Sequence, residues 1–353
     1  MTHPHAPPEP SPQDGAFLRS FFVTLGVLLA ATAALVLLTD PLGTFGTGIT
    51  PPVVSADRDQ KAALYRARVP APELVVLGSS RSKSIAPTCL QQLTGQPAFN
   101  FAVNGASAED LVAILRFLRQ APGGRVNTVF VGVDPEMMQG GGGVYRALQA
   151  SRALGPFAPG GAAARSRMTL GADLWGWQAV SAAFRSVARR VGARESLPEF
   201  SLESDGRQRY PRAEAALRLG TFPQQARVVG SIAGILGRYE SFTALQPDRV
   251  SYLRRFAEEA KAAGVSLVAF IPPVHPAFVR AASGTAWRAR TEDTVQLLRS
   301  LERDGLLRYV EMRSLLAASA DTSQFVDAIH FLAPVAATVA QALTGSPGRC
   351  VLQ

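Results

Sequence analysis

Five short apolar runs punctuate the chain after residue 72, with helical patterns between them. They are ELVVL (73–77), AFNFAV (98–103), TVFVGV (128–133), VSLVAFI (265–271) and LRYVEM (307–312). Continuous apolar runs of this length belong to strands buried on both faces. The stretches between them carry a helical period. Leu111, Ile114, Leu115 and Leu118 share one face, and Ser107-x-x-Asp110 ahead of them is a capping pattern. Asp248 to Ala263 is stopped by Gly264, Thr291 to Asp304 is stopped by Gly305, and a last helix from near Pro334 ends by Gly345. Strands alternating with helices predict an α/β fold, a parallel five-stranded sheet covered on both faces and so three layers deep. Such sheets bind ligands at the carboxyl ends of their strands.

The amino-terminal region follows different physics. Residues 1–15 are rich in proline, lack periodicity and read as a disordered tail. Phe21 to Leu38, FFVTLGVLLAATAALVLL, carries no charge, and residues 16–39 are predicted to form one transmembrane helix. A cleaved signal has a shorter apolar core with a small-x-small site after it. Here Ala31-Thr32-Ala33 lies inside the run, so the span reads as an uncleaved anchor in the lipid bilayer. Arg19 precedes the span, whereas Arg58, Lys61, Arg66 and Arg68 follow it, against the positive-inside trend. A short tail before one early span is nevertheless the pattern of a signal-anchor. It puts the globular part on the extracytoplasmic side of a cell inner membrane. Residues 40–72 read as a connector, 73–345 as the α/β domain and 346–353 as a tail.

The alternation breaks between residues 140 and 240, which read as an insertion between the third and fourth strands. Gly140 to Gly143 forms a glycine hinge. Trp177, Val180, Phe184, Val187 and Val191 recur at helical spacing, with Arg185, Arg189 and Arg190 among them. The segment holds fourteen Arg and seven acidic residues, a net +7 (14 − 7) out of the chain's +9. A helical cover with a solvated Arg face accounts for that balance. A lid over the site, or a surface against anionic lipid or polysaccharide, accounts for it equally. No basic stripe interleaved with aromatics and no zinc spacing occurs, so neither nucleic acid nor a metal is expected as a partner. Cys89 and Cys350 are too few for a disulfide framework. We expect a buried thiol at Cys89 and a free one at Cys350, although an oxidising compartment would allow the two to pair.

Chemistry collects at the predicted strand ends. The first run stops at Gly78-Ser79-Ser80-Arg81, which sets hydroxyls and backbone N–H groups at the start of a helical turn, where developing negative charge is stabilised. By itself this is also an ordinary helix cap. The second run ends at Asn104-Gly105, a turn whose glycine permits close approach to a ligand. The third ends at Asp134, and the fourth leads into Pro272-Pro273-Val274-His275, which is either pocket lining or a turn with an exposed His. Late in the chain, Asp327 and His330 stand three residues apart before a helix. His330 suits a general base toward a Ser hydroxyl, with Asp327 orienting the imidazole.

This set resembles the SGNH, or GDSL-type, hydrolase superfamily, and its membrane-anchored bacterial branch in particular. The resemblance covers roughly residues 73–345, interrupted by the insertion. It implies a three-layer flavodoxin-like sheet, with Ser80 as nucleophile and Asp327 with His330 completing the triad. It also implies an oxyanion hole from the Ser80 and Gly105 N–H groups, and substrate contacts near Arg81, Asp134 and His275. No cofactor is implied. The activity implied is ester hydrolysis or O-acyl transfer on an acylated cell-surface glycan. Two positions depart from the pattern. Ser79 stands where Asp is frequent, and Asp134 stands where the family's third block has an oxyanion-binding Asn; Asn104 is the substitute donor available. That departure keeps a second expectation open, a catalytically inactive SGNH-like module that binds glycan or a partner in an envelope assembly. A dinucleotide-binding domain is disfavoured, because no Gly-x-Gly-x-x-Gly opens the first helix.

Overall fold

A computed structural model describes residues 12–41, 45, 47, 49, 57–121, 123–140, 146–159, 174–191, 197–313, 324–346, 348 and 350. The chain divides into two compact units, one of residues 1–56 with 164–193 and the other of residues 57–163 with 194–353. Residues 1–11 of the expected tail lie outside the described residues, as do 141–143 of the glycine hinge.

The larger unit is α/β. Its sheet contains β1 (Leu74–Leu77), β2 (Ala98–Asn100), β3 (Thr128–Gly132), β6 (Ser266–Phe270) and β7 (Arg308–Val310). The order is β2-β1-β3-β6-β7 and every pairing is parallel. A separate antiparallel pair, β4 (Ser201–Leu202) with β5 (Gln208–Arg209), comes from the segment read as an insertion.

All four residues of β1 are buried, because alternate side chains enter two different cores. Val75, Val129, Val131, Leu267 and Ala269 meet helices Asp57–Arg66, Ala108–Gln120, Pro247–Ala262 and Ala286–Arg303. Leu74, Val76, Phe130, Val268 and Phe270 meet helices Pro87–Thr94 and Ala333–Thr344. Each such side chain contributes roughly 1.5–3 kcal/mol on burial. Strand order reverses at β1, so a crevice opens beyond the carboxyl ends of β1 and β3.

Two expectations change here. The helix Asp57–Arg66, expected in a connector, is part of the α/β core: Ala62 and Tyr65 are buried, and so are Asp57, Arg58 and Lys61. Cys89 and Cys350 are not free thiols but form a disulfide, with Cα atoms 5.0 Å apart. The helices Pro87–Thr94 and Ala333–Thr344 pack side by side, which brings the chain's end to Cys89.

In the smaller unit, helix Pro12–Thr39 contains one stretch, Gly15–Thr39, long and apolar enough to cross a membrane, with a mean hydropathy of 2.6 over an 18-residue window. It begins at Pro12, inside the expected tail. Helix Trp177–Val191 packs beside it, Ala179 and Ala183 clustering with Val36.

Candidate active site

β1 ends at Gly78, whose φ of +139° only glycine adopts without strain. A Cβ there would also sit 2.9 Å from the Gly132 carbonyl oxygen at the end of β3. This close approach of two strand ends is what places the next residues above the sheet. Ser79 caps a short 3-10 turn, Ser80–Ser82, by accepting from the Arg81 N–H through its hydroxyl at 3.2 Å. The turn's underside is held by Asn100 of β2, fully buried. Its amide donates to the carbonyls of Ser82 (2.9 Å), Lys83 (3.3 Å) and Ile85 (2.8 Å).

Ser80 therefore stands half-buried at the crevice. Its Oγ lies 2.9 Å from His330 Nε2, across 250 residues of sequence. His330 Nδ1 lies 2.8 Å from Asp327 Oδ2. Asp327 Oδ1 accepts from the Ile329 and His330 N–H groups, each at 2.9 Å, so the carboxylate shapes its own loop as well as the ring. Burial pushes the Asp327 carboxyl upward, but the hydrogen bond and charge of His330 and the two N–H donors outweigh it. The net shift is below the ordinary Asp value.

The Asp327–His330 loop is buttressed from three directions. The His275 N–H donates to the Ala328 carbonyl (2.9 Å), and the Ala328 N–H donates to Ser231 Oγ (3.1 Å). Tyr210 and Ala213 pack against Val326 and Leu332. Ser231, Tyr210 and Ala213 come from the segment read as an insertion, so part of it supports the site directly.

The second strand's end lies beside the first, since the Val103 N–H donates to the Gly78 carbonyl at 2.9 Å. Asn104 and Gly105 follow, exposed, with Gly105 at φ +55°. Asn104 is fixed from below. Its N–H donates to Asp57 Oδ2 (2.8 Å), and Lys83 Nζ donates to its Oδ1 (3.0 Å) and to Asp57 Oδ2 (2.8 Å). Lys61, fully buried, donates to the Ala102 carbonyl (2.5 Å) and Asn100 Oδ1 (3.3 Å). Burial lowers the pKa of both lysines, most strongly that of Lys61, where the neighbouring Lys83 adds to the effect.

The three residues expected near substrate are held by contacts within the protein. Arg81 is 2% exposed and pairs with Asp134 (3.1 Å) and Glu136 (2.6 Å). Burial alone would lower its pKa, but the two carboxylates raise it overall. Asp134 is 1% exposed and is held by the charge of Arg81 rather than by an aligned hydrogen bond. Burial pushes its carboxyl up to about 6, with Arg81 opposing. His275 caps helix Pro276–Ala281 through Nδ1, which accepts from the Ala277 N–H (3.1 Å), and its ring meets Phe325 edge-on. Arg81 and Asp134 are thus buried partners within the site, and His275 is a half-buried helix cap beside it.

Asn100, Lys61, Asp57, Lys83 and Glu136 were not singled out in the sequence. A polar Asn between two Phe in a strand, and Lys61 in helical register with Tyr65, are the signals that mark two of them. Among the described residues, no group of three or more His, Cys, Asp or Glu is placed to hold a metal ion. No protein-family model matches the chain, and no curated protein matches its sequence.

Proposed function

We propose that the protein is a membrane-anchored serine esterase or O-acyltransferase of the SGNH type, with a flavodoxin-like sheet. The observation that carries the reading is the continuous chain of contacts from Ser80 Oγ through both nitrogens of His330 to Asp327. A hydroxyl, an imidazole and a carboxylate in this relation perform acyl transfer.

His330 Nε2 takes the proton as Ser80 Oγ bonds to an ester carbonyl carbon, and the carbonyl electron pair moves onto oxygen. The Ser80 and Gly105 N–H groups, on adjacent strand ends, are the donors proposed for that oxyanion. As the oxyanion collapses, the ester C–O bond breaks and His330 gives its proton to the leaving alkoxide. Asp327 stabilises the imidazolium throughout. A water molecule or sugar hydroxyl then attacks acyl-Ser80, losing its proton to His330, and Ser80 Oγ leaves and regains a proton.

An anchored enzyme meets surface-bound substrate, so an acylated cell-surface glycan is the substrate class proposed. The Cys89–Cys350 disulfide supports an extracytoplasmic site, because disulfides persist in oxidising compartments. Asp134 in place of an Asn donor favours the second reading, an inactive SGNH-like binding module. Fluorophosphonate labelling of the full-length protein in detergent separates the two. Labelling that disappears in Ser80→Ala, together with loss of aryl-ester hydrolysis, is the expected result. A folded wild-type protein that does not label is the module instead.

A further inference from the structure

Helix Trp177–Val191 presents three different sides. Ala179, Ala182, Ala183 and Ser186 are buried, and Ala179 and Ala183 face the apolar helix Pro12–Thr39. A second side carries large apolar groups left in the open, with Trp177 84% exposed, Phe184 62% and Val187 38%. Their spacing of seven and then three residues puts them in one stripe. Ser181 and Arg185 form a polar edge, and the sequence adds Arg189 one turn on. Trp175, in the turn just before, is 43% exposed.

Depth is fixed by two contacts. Trp175 Nε1 donates to the Leu29 carbonyl at 2.9 Å, and Ala179 and Ala183 cluster with Val36. The two helices therefore run in the same sense. From Val36 to Thr39 is three residues, about 4.5 Å of helix, and from Ala183 to Arg185 two, about 3 Å. Arg185 thus comes level with Thr39, where the apolar stretch ends. Trp175 to Phe184 lie alongside the apolar stretch of the anchor.

The geometry points to a second membrane element: the segment Leu174–Val191 is embedded in the bilayer beside the C-terminal half of the anchor. Its Trp177 and Phe184 side chains lie in lipid hydrocarbon, and Arg185 and Val187 lie at the level of the anionic headgroups. Leu28, Leu29 and Leu38 of the anchor are exposed as well. Bulky apolar groups in water on this scale are a liability, whereas in hydrocarbon they are matched. A guanidinium at the headgroup level suits lipid phosphate.

The chain's three tryptophans supply the test. Full-length Trp287→Phe is reconstituted into nanodiscs of acyl-brominated phosphatidylcholine. The remaining Trp175 and Trp177 are expected to lose most of their emission relative to unbrominated lipid, from a blue-shifted maximum that aqueous iodide does not quench. A parallel Trp175→Phe/Trp177→Phe protein, reporting from Trp287, should be indifferent to bromine. Adding Phe21→Trp to that background reports on the anchor itself. Quenching of the anchor reporter without quenching of Trp175 and Trp177 overturns the proposal. So does iodide-accessible emission from those two residues, and so does an anchor reporter that bromine leaves untouched.

Discussion

Arg81 occupies the position next to the nucleophile, yet its guanidinium faces down into Asp134 and Glu136. Truncating one partner of a buried pair leaves uncompensated charge and costs roughly 3–5 kcal/mol. Arg81→Met should therefore lower the chemical-denaturation midpoint of the detergent-solubilised protein markedly and slow fluorophosphonate labelling. The double variant Arg81→Met/Asp134→Asn should recover part of the loss. Asp134 also gives a pH signature. Its folded pKa of about 6 lies above the ordinary Asp value near 3.9. The folded state thus binds the proton more tightly than the unfolded one. That contribution to stability is complete below about pH 4 and is lost as pH rises through about 6. Asp327 has the opposite sign, its depressed pKa giving stability above the ordinary Asp value that is lost in acid. Comparing wild type with Asp134→Asn isolates the first effect. Between pH 4 and 6 the wild type should lose stability relative to the variant, and parallel profiles would show that Asp134 does not titrate there.

At the scale of elements, each predicted strand exists, though all five are shorter than their apolar runs. AFNFAV counts as strand only over Ala98–Asn100, yet the bonds Phe101 N–H to Val76 O and Val103 N–H to Gly78 O carry its pairing onward to the site. Apolar runs report burial, and burial here outlasts regular pairing. Ser80, Asp327 and His330 were legible because strand ends in a parallel sheet share one edge and few other residue types can serve that chemistry. The supports were not legible. Lys61 and Asn100 act across 39 residues of sequence, and only their common burial reveals the pairing. Asn100 decides whether the nucleophile turn holds its shape, because it satisfies three carbonyls at once. Asn100→Ala should cost roughly 1–3 kcal/mol for the groups left unsatisfied. It should also depress the labelling rate of Ser80 more than Thr128→Ala, a strand substitution remote from the turn. Equal labelling in both variants would show that the turn holds without the amide.

Across the whole molecule, the segments that carry Ser80 and His330 are joined by a covalent tie. His330 lies three residues before helix Ala333–Thr344, and that helix packs on Pro87–Thr94, which follows the nucleophile turn. Cys350 bonds to Cys89 within this second helix, closing a loop with a sequence separation of 261. Ser80 and His330 are thus both attached to one disulfide-linked helix pair on a single face of the sheet. In the unfolded chain the same bond restricts a very long loop, and loss of a native disulfide costs about 2–5 kcal/mol. Cys89→Ser/Cys350→Ser should therefore lower the thermal midpoint. If the tie also holds His330 in register, the variant should label more slowly with fluorophosphonate well below its melting temperature. Wild type treated with dithiothreitol should follow the variant in both measurements. A lower midpoint with unchanged labelling would assign the disulfide to stability alone, and leave the register of His330 to Ala328, Ser231 and Tyr210.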